Sequence, residues 1–185
     1  MLFFAAVIVG AVVVLLLIGY NKLVGMRQLT RNAWSDVDVY LKRRSELIPN
    51  LVQSVSGYAK YEQETLQKAI DARNRARLAQ GSMSGRAAAE QQVSSDVVQV
   101  LAIAEAYPEL KANNSFLDLQ GQLTDTEKLI ANARQYYNAC VRDYNTLIEA
   151  FPTNIVAGIM AFKPAEFFEL DAVAEREAPQ VQGLP

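Results

Sequence analysis

FLDLQGQLTDTEKLIANARQYYNACVRDYNTLIEAF, residues 116–151, is the stretch that decides the fold. Phe116, Leu119, Leu123, Thr126, Ile130, Ala133, Tyr137, Cys140, Tyr144, Leu147 and Phe151 follow one another at steps of three or four. That spacing puts them along one side of a long α-helix and gives it a stripe that must be covered. The chain supplies a cover upstream. Between Met26 and Leu78, a second register runs through Trp34, Val37, Leu41, Ile48, Leu51, Val55, Tyr58, Ala69, Ala72 and Ala76, interrupted by Arg44, Glu62 and Thr65. Pro49 lacks a backbone donor and crowds the preceding turn, so a kink between Arg44 and Pro49, or two abutting helices, is expected there.

Gly81-Ser82-Met83-Ser84-Gly85 supplies a turn. A further helix is expected from Gly85 to Ala106 or Tyr107, with Val93, Val97, Val100, Ala104 and Tyr107 on one face. Pro108 breaks it, and 111–115 form a connector in which Ser115, three residues before Asp118, is the expected cap of the next helix. Phe151-Pro152 ends the long segment, and 153–162 form a short helix. No alternating runs joined by a hairpin signal occur in the body.

At the other end, 1–20 read MLFFAAVIVGAVVVLLLIGY, without a charged residue. As a helix this run spans about 30 Å, the thickness of a bilayer's hydrocarbon core. A cleaved secretory signal would begin with basic residues, hold a shorter apolar core and end at small residues; Ile18-Gly19-Tyr20 does not, so an uncleaved anchor is the reading. The expected fold is therefore all-α: an N-terminal transmembrane helix followed by an elongated antiparallel bundle with three main helices and a short fourth. The anchor is 1–20, the bundle 21–170, and 171–185 a mobile tail poor in core residues.

Composition removes several chemistries. The 185-residue chain has no histidine and a single cysteine, so His-dependent triads, imidazole metal sites and intrachain disulfides are excluded. With 18 Lys and Arg against 20 Asp and Glu, net charge is −2 and offers no case for nucleic acid. Asp36 and Asp38 sit about 200° apart around a helix, which is surface charge rather than a metal site. Glu127 lies in no calcium-loop or Glu-x-x-His pattern. No catalytic residue, metal ligand or cofactor is assigned, and the chain is read as a non-enzyme.

Six basic residues remain. Lys22, Arg27, Arg31, Lys42, Arg43 and Arg44 are candidate contacts for anionic lipid, the last three only if the helix bends toward the membrane. Trp34 is the candidate partner contact, although its register favours packing. Lys22, Arg27 and Arg31 follow the span, so the positive-inside rule predicts a single pass through a plasma or inner membrane, N-terminus outside and bundle cytoplasmic.

Several ordered motifs carry a resemblance: Asn21-Lys22-Leu23-Val24, 32–44, Leu47-Ile48-Pro49-Asn50-Leu51-Val52, Gly57-Tyr58-Ala59-Lys60-Tyr61-Glu62, Ala133-Arg134-Gln135-Tyr136-Tyr137-Asn138, Phe151-Pro152-Thr153-Asn154 and Phe167-Phe168-Glu169. Over roughly residues 21 to 170 the chain resembles the LemA family of bacterial membrane proteins. The resemblance implies an anchored helical bundle and links the chain to membrane remodelling or an organelle-like bacterial membrane; it supplies no catalytic positions. The expected role is a membrane-anchored scaffold or organiser, with an adaptor for a membrane-associated enzyme and an enzyme of unknown reaction as the alternatives. Expected partners are the lipid bilayer, a membrane-associated protein and a second copy in a homo-oligomer.

Overall fold

The structure is a computed structural model and describes residues 1–79 and 81–169. Among these it is all-helical: α1 (Leu2–Ser56), α2 (Gln63–Leu78), α3 (Met83–Ala104), α4 (Pro108–Lys111), α5 (Asn114–Glu149) and α6 (Thr153–Ile159). The tail expected at 171–185 lies outside the described residues. Helices α1, α3, α5 and α6 answer to the expected segments, while α2 and α4 arise where continuous chain or connector was expected.

Of the two arrangements expected between Arg44 and Pro49, abutting helices do not form: α1 is one helix through Pro49 to Ser56, and the chain leaves the helix at 57–62. The reason is local. Pro49 leaves the carbonyl of Ser45, four residues back, without its helical donor. Arg73 Nε donates to that oxygen at 2.9 Å, so a side chain from α2 supplies the missing bond. The break falls at Gly57, where Tyr58 and Ala59 amides both donate to the Val55 carbonyl and close the helix.

The cap of α5 also differs from expectation. Asn113, not Ser115, does the capping: its Oδ1 accepts from the amides of Ser115 at 2.9 Å and Phe116 at 3.3 Å. Helix α5 begins at Asn114, two residues too early for Ser115 to occupy the N-cap position. Ser82 caps α3 by accepting from the Gly85 amide at 3.1 Å, and Gly81, at φ +126°, supplies the preceding turn.

Contacts divide the chain into two compact units. Among the described residues, the first comprises 1–44 and 124–167, the second 45–123 together with Phe168 and Glu169. In the second, Ile48, Leu51 and Val55 of α1, Leu66, Ala69, Ala72 and Ala76 of α2, Val93, Val97, Val100 and Ala104 of α3, and Leu110, Phe116 and Leu123 form one buried cluster. Each fully buried Leu, Ile or Phe side chain contributes about 1.5–3 kcal/mol over exposure. In the first unit Leu23, Tyr144, Val156 and Ala157 form a cluster flanked by Met26, Leu147, Ile148 and Phe162.

Candidate membrane interface

The first unit contains the apolar run and the segment packed beside it. Among the described residues of 1–20 every side-chain position is exposed except Gly19. Helix α6 meets that glycine: a Cβ there would lie 3.2 Å from Val156 Cγ2 and 3.6 Å from Thr153 Cγ2. Absence of a side chain thus lets α6 approach the end of the span closely. Among the described residues, α1 is also the one helix with a window long and apolar enough to cross a membrane.

Immediately after Tyr20, α1 turns from outward to inward apolarity. Leu23, Ala33, Val37 and Leu41 are buried, and the Thr30 hydroxyl donates to the Met26 carbonyl at 2.9 Å and approaches the Cys140 carbonyl at 3.4 Å. Cys140 is a buried thiol. The segment after α6 is strapped to α5 by three side chains. Tyr137 Oη donates to the Glu166 carbonyl at 2.8 Å and Tyr144 Oη to that of Lys163 at 3.2 Å. Asn145 pairs with the Ala165 backbone both ways, Nδ2 donating to its carbonyl at 3.0 Å and Oδ1 accepting from its amide at 2.9 Å. Burial first, and for Tyr137 the Glu166 carboxylate second, hold both phenols above their ordinary pKa; Arg27 and Arg31 partly offset the rise at Tyr144.

The six basic residues are not brought together. Lys22 and Arg31 are exposed near the span, whereas Arg27 sits over the Phe162 ring, 5.0 Å from its centroid, in a cation–π contact. Phe162 also meets Tyr20 edge-on at 6.0 Å, so a Tyr20–Phe162–Arg27 stack marks the junction. Lys42 and Arg43 are exposed about 30 Å further along the helix from Lys22. Arg44 is buried, 1% exposed, and its Nη1 pairs with Glu127 Oε1 at 2.8 Å; a guanidinium in that position is not presented to a headgroup. Trp34 is half-buried and packs edge-on against Tyr137, with centroids 5.3 Å apart.

Sequence reasoning missed Gly19 as a contact point, and Phe151, Ile155, Ile159 and Met160 as exposed apolar side chains. A Gly directly after the bulky run at 12–18 was the available signal for the first. Among the described residues no three His, Cys, Asp or Glu side chains gather as a metal site.

The LemA family's sequence profile matches residues 33–182. Magnetosome protein MamQ 2 of Paramagnetospirillum magneticum is 27% identical over 186 residues, covering 87% of this chain and 68% of that protein. Magnetosome protein MamQ of Magnetospirillum gryphiswaldense is 26% identical over 183 residues, covering 85% and 67%. Protein LemA of Metamycoplasma hominis is 27% identical over 137 residues, covering 74% and 63%.

Proposed function

This chain belongs to the LemA family, and from that premise we propose that it is a membrane-anchored helical scaffold whose bundle organises proteins at the cytoplasmic face of the membrane. One observation supports this reading above the others. Span and bundle share one uninterrupted helix, and the first buried bundle residue, Leu23, comes three positions after Tyr20. A flexible linker would let a tethered domain search at varying height; a continuous helix fixes height and orientation. That suits an organiser that presents one surface repeatedly along a bilayer, and anchoring further raises the local concentration of copies and partners.

Lys22, Arg27 and Arg31 beyond the span favour a cytoplasmic bundle, and Lys22 and Arg31 are exposed where anionic headgroups would lie. Membrane remodelling is the finer form of the proposal, drawn from relatives named for the magnetosome. The adaptor for a membrane-associated enzyme is the rival reading, since exposed Leu78 and Val98 offer apolar contact points on the second unit.

Photo-crosslinkers placed singly at Val39, Leu78 and Val98 in native membranes separate the two. Repeated contacts between copies support the organiser; one dominant foreign partner supports the adaptor; weak, equal labelling of many proteins defeats both. Sidedness is read by a protease-cleavable tag inserted after Gly81, ahead of the Ser82 cap. Protection until the plasma membrane is opened is the expected result, and earlier cleavage reverses the orientation.

A further inference from the structure

Helix α6 has two faces of unlike destiny. Inward, Val156 and Ala157 are buried and Thr153 Oγ1 bonds to the carbonyls of Leu147 and Ala150 at the end of α5. Outward, Phe151 is 81% exposed, Ile155 49%, Ile159 68% and Met160 57%. Ile155 and Ile159 are four residues apart and stack on one side of the helix. Four large apolar side chains within ten residues are costly against water, and such patches mark contact surfaces.

The surface that continues this patch is the span itself. Val13, Leu16 and Leu17 of α1 and Val156, Ile159 and Met160 of α6 line an open apolar groove of about 410 Å³. On the other side of the contact, Leu15, Leu16 and Gly19 face Phe151, Pro152 and Ile155 across a second groove of about 200 Å³. Whatever surrounds the last two turns of the span therefore also reaches α6.

Depth follows from the polar markers. Gly19 fixes α6 at the last turn of the span, and the Tyr20–Phe162–Arg27 stack with exposed Lys22 and Lys163 lies beyond it. An aromatic and basic ring of this kind belongs at headgroup level. Exposed Glu149, just before α6, and Asn154, in its first turn, keep it at that boundary rather than through the leaflet. The backbone is prepared for it: Asn154 donates to Ala150 at 2.8 Å, Ile155 to Pro152 at 3.2 Å, Met160 to Val156 at 3.0 Å and Phe162 to Ala157 at 3.0 Å.

We propose that α6, with Phe151 and Met160, is a second lipid-contacting element, lying at interfacial depth against the anchor with acyl chains filling the two grooves. It rests on the anchored reading above. The bundle then has two footholds in the bilayer instead of one, and α6 resists rotation of the bundle about the axis of the span.

The test is spin-label accessibility in the full chain, reconstituted in phosphatidylethanolamine and phosphatidylglycerol vesicles. Cys140→Ser removes the native thiol, and labels are placed singly by Ile155→Cys, Ile159→Cys, Leu16→Cys and Val39→Cys. The expected result is that labels at 155 and 159, like that at 16, collide more with oxygen than with a water-soluble nickel complex, while the label at 39 shows the reverse. Labels at 155 and 159 that behave like 39, with 16 still in lipid, overturn the proposal and leave the anchor standing. An aqueous label at 16 overturns both. Protection from both reagents with spin–spin broadening at 159 assigns the patch to a second copy of the chain and likewise overturns lipid contact.

Discussion

The two units solve the same packing problem with different side chains. In the second, the α2–α3 contact is built mostly from small residues: Ala69, Ala72 and Ala76 on α2 meet the buried Ala87, Val93, Val97, Val100 and Ala104 face of α3, with one buried carboxylate, Asp96, that accepts from Gln92 Nε2 at 2.8 Å. The first buries Tyr137, Tyr144, Thr30, Thr126 and Arg44 among its apolar residues. Alanine and valine faces allow close helix approach and need no polar partner. Tyrosines, threonines and an arginine each bring a polar atom that must be satisfied, and the first unit spends hydrogen bonds on holding the 162–167 segment and Glu127 in place. The first unit therefore relies more heavily on buried polar ties, and the second more on volume.

The largest effect should come from breaking a tie. Glu127→Ala strips the Arg44 guanidinium of a carboxylate in a buried position and should destabilise by about 2–3 kcal/mol, below a fully buried pair because Glu127 stays 38% exposed. Arg44→Met, which keeps the long stem and removes the charge, should cost clearly less in the same urea titration. Equal losses would show that removing Glu127 carries no added cost of an uncompensated buried charge.

Volume is the corresponding weakness of the second unit. Ala72→Leu forces a larger side chain into a site 1% exposed and should cost about 1–3 kcal/mol. Among the polar ties of that unit, the Arg73 bond to Ser45 replaces a missing backbone bond. Arg73→Met should cost about 1–2 kcal/mol in the parent and much less in a Pro49→Ala background, where residue 49 regains the amide that Ser45 needs. Additive losses in that cycle would refute the compensation.

Tyr144→Phe leaves the Lys163 carbonyl without its phenol and should cost about 1 kcal/mol, loosening the segment after α6 in hydrogen exchange. The same two phenols give a pH signature. Because burial raises their folded pKa above the unfolded value near 10, their contribution is fully present below that value and is lost as pH rises through the folded pKa. Ultraviolet titration should show the Tyr137 and Tyr144 phenols ionising above the ordinary tyrosine value. At the small end, Lys68→Gln removes the 2.8 Å exposed pair with Glu64 and should leave the melting temperature unchanged.

Much of the helical content was legible because periodicity reports burial directly. Val93, Val97, Val100 and Ala104 occupy one buried face, and Phe116, Leu123, Ile130, Tyr137, Cys140 and Tyr144 are buried as their spacing requires. Arg44 shows where residue type misleads: it stands three after Leu41 and four before Ile48, and position prevailed over charge once Glu127 was near. The break at 57–62 was illegible because Pro49 is a stronger local breaker than Gly57, and only a distant arginine cancels it. The exposed face of α6 was hidden for another reason. Ile155 and Ile159 have the spacing of core residues, and a sequence does not say whether an apolar stripe meets protein or lipid.

Alkaline carbonate extraction of sealed membranes tests the central claim most directly. The full chain should remain in the membrane pellet, and deletion of residues 1–20 should move most of the protein to the supernatant, because α6 alone offers too little apolar surface to hold a bundle against that wash. Recovery of the full-length chain in the supernatant would contradict an integral anchor and remove the premise of a scaffold held at fixed height.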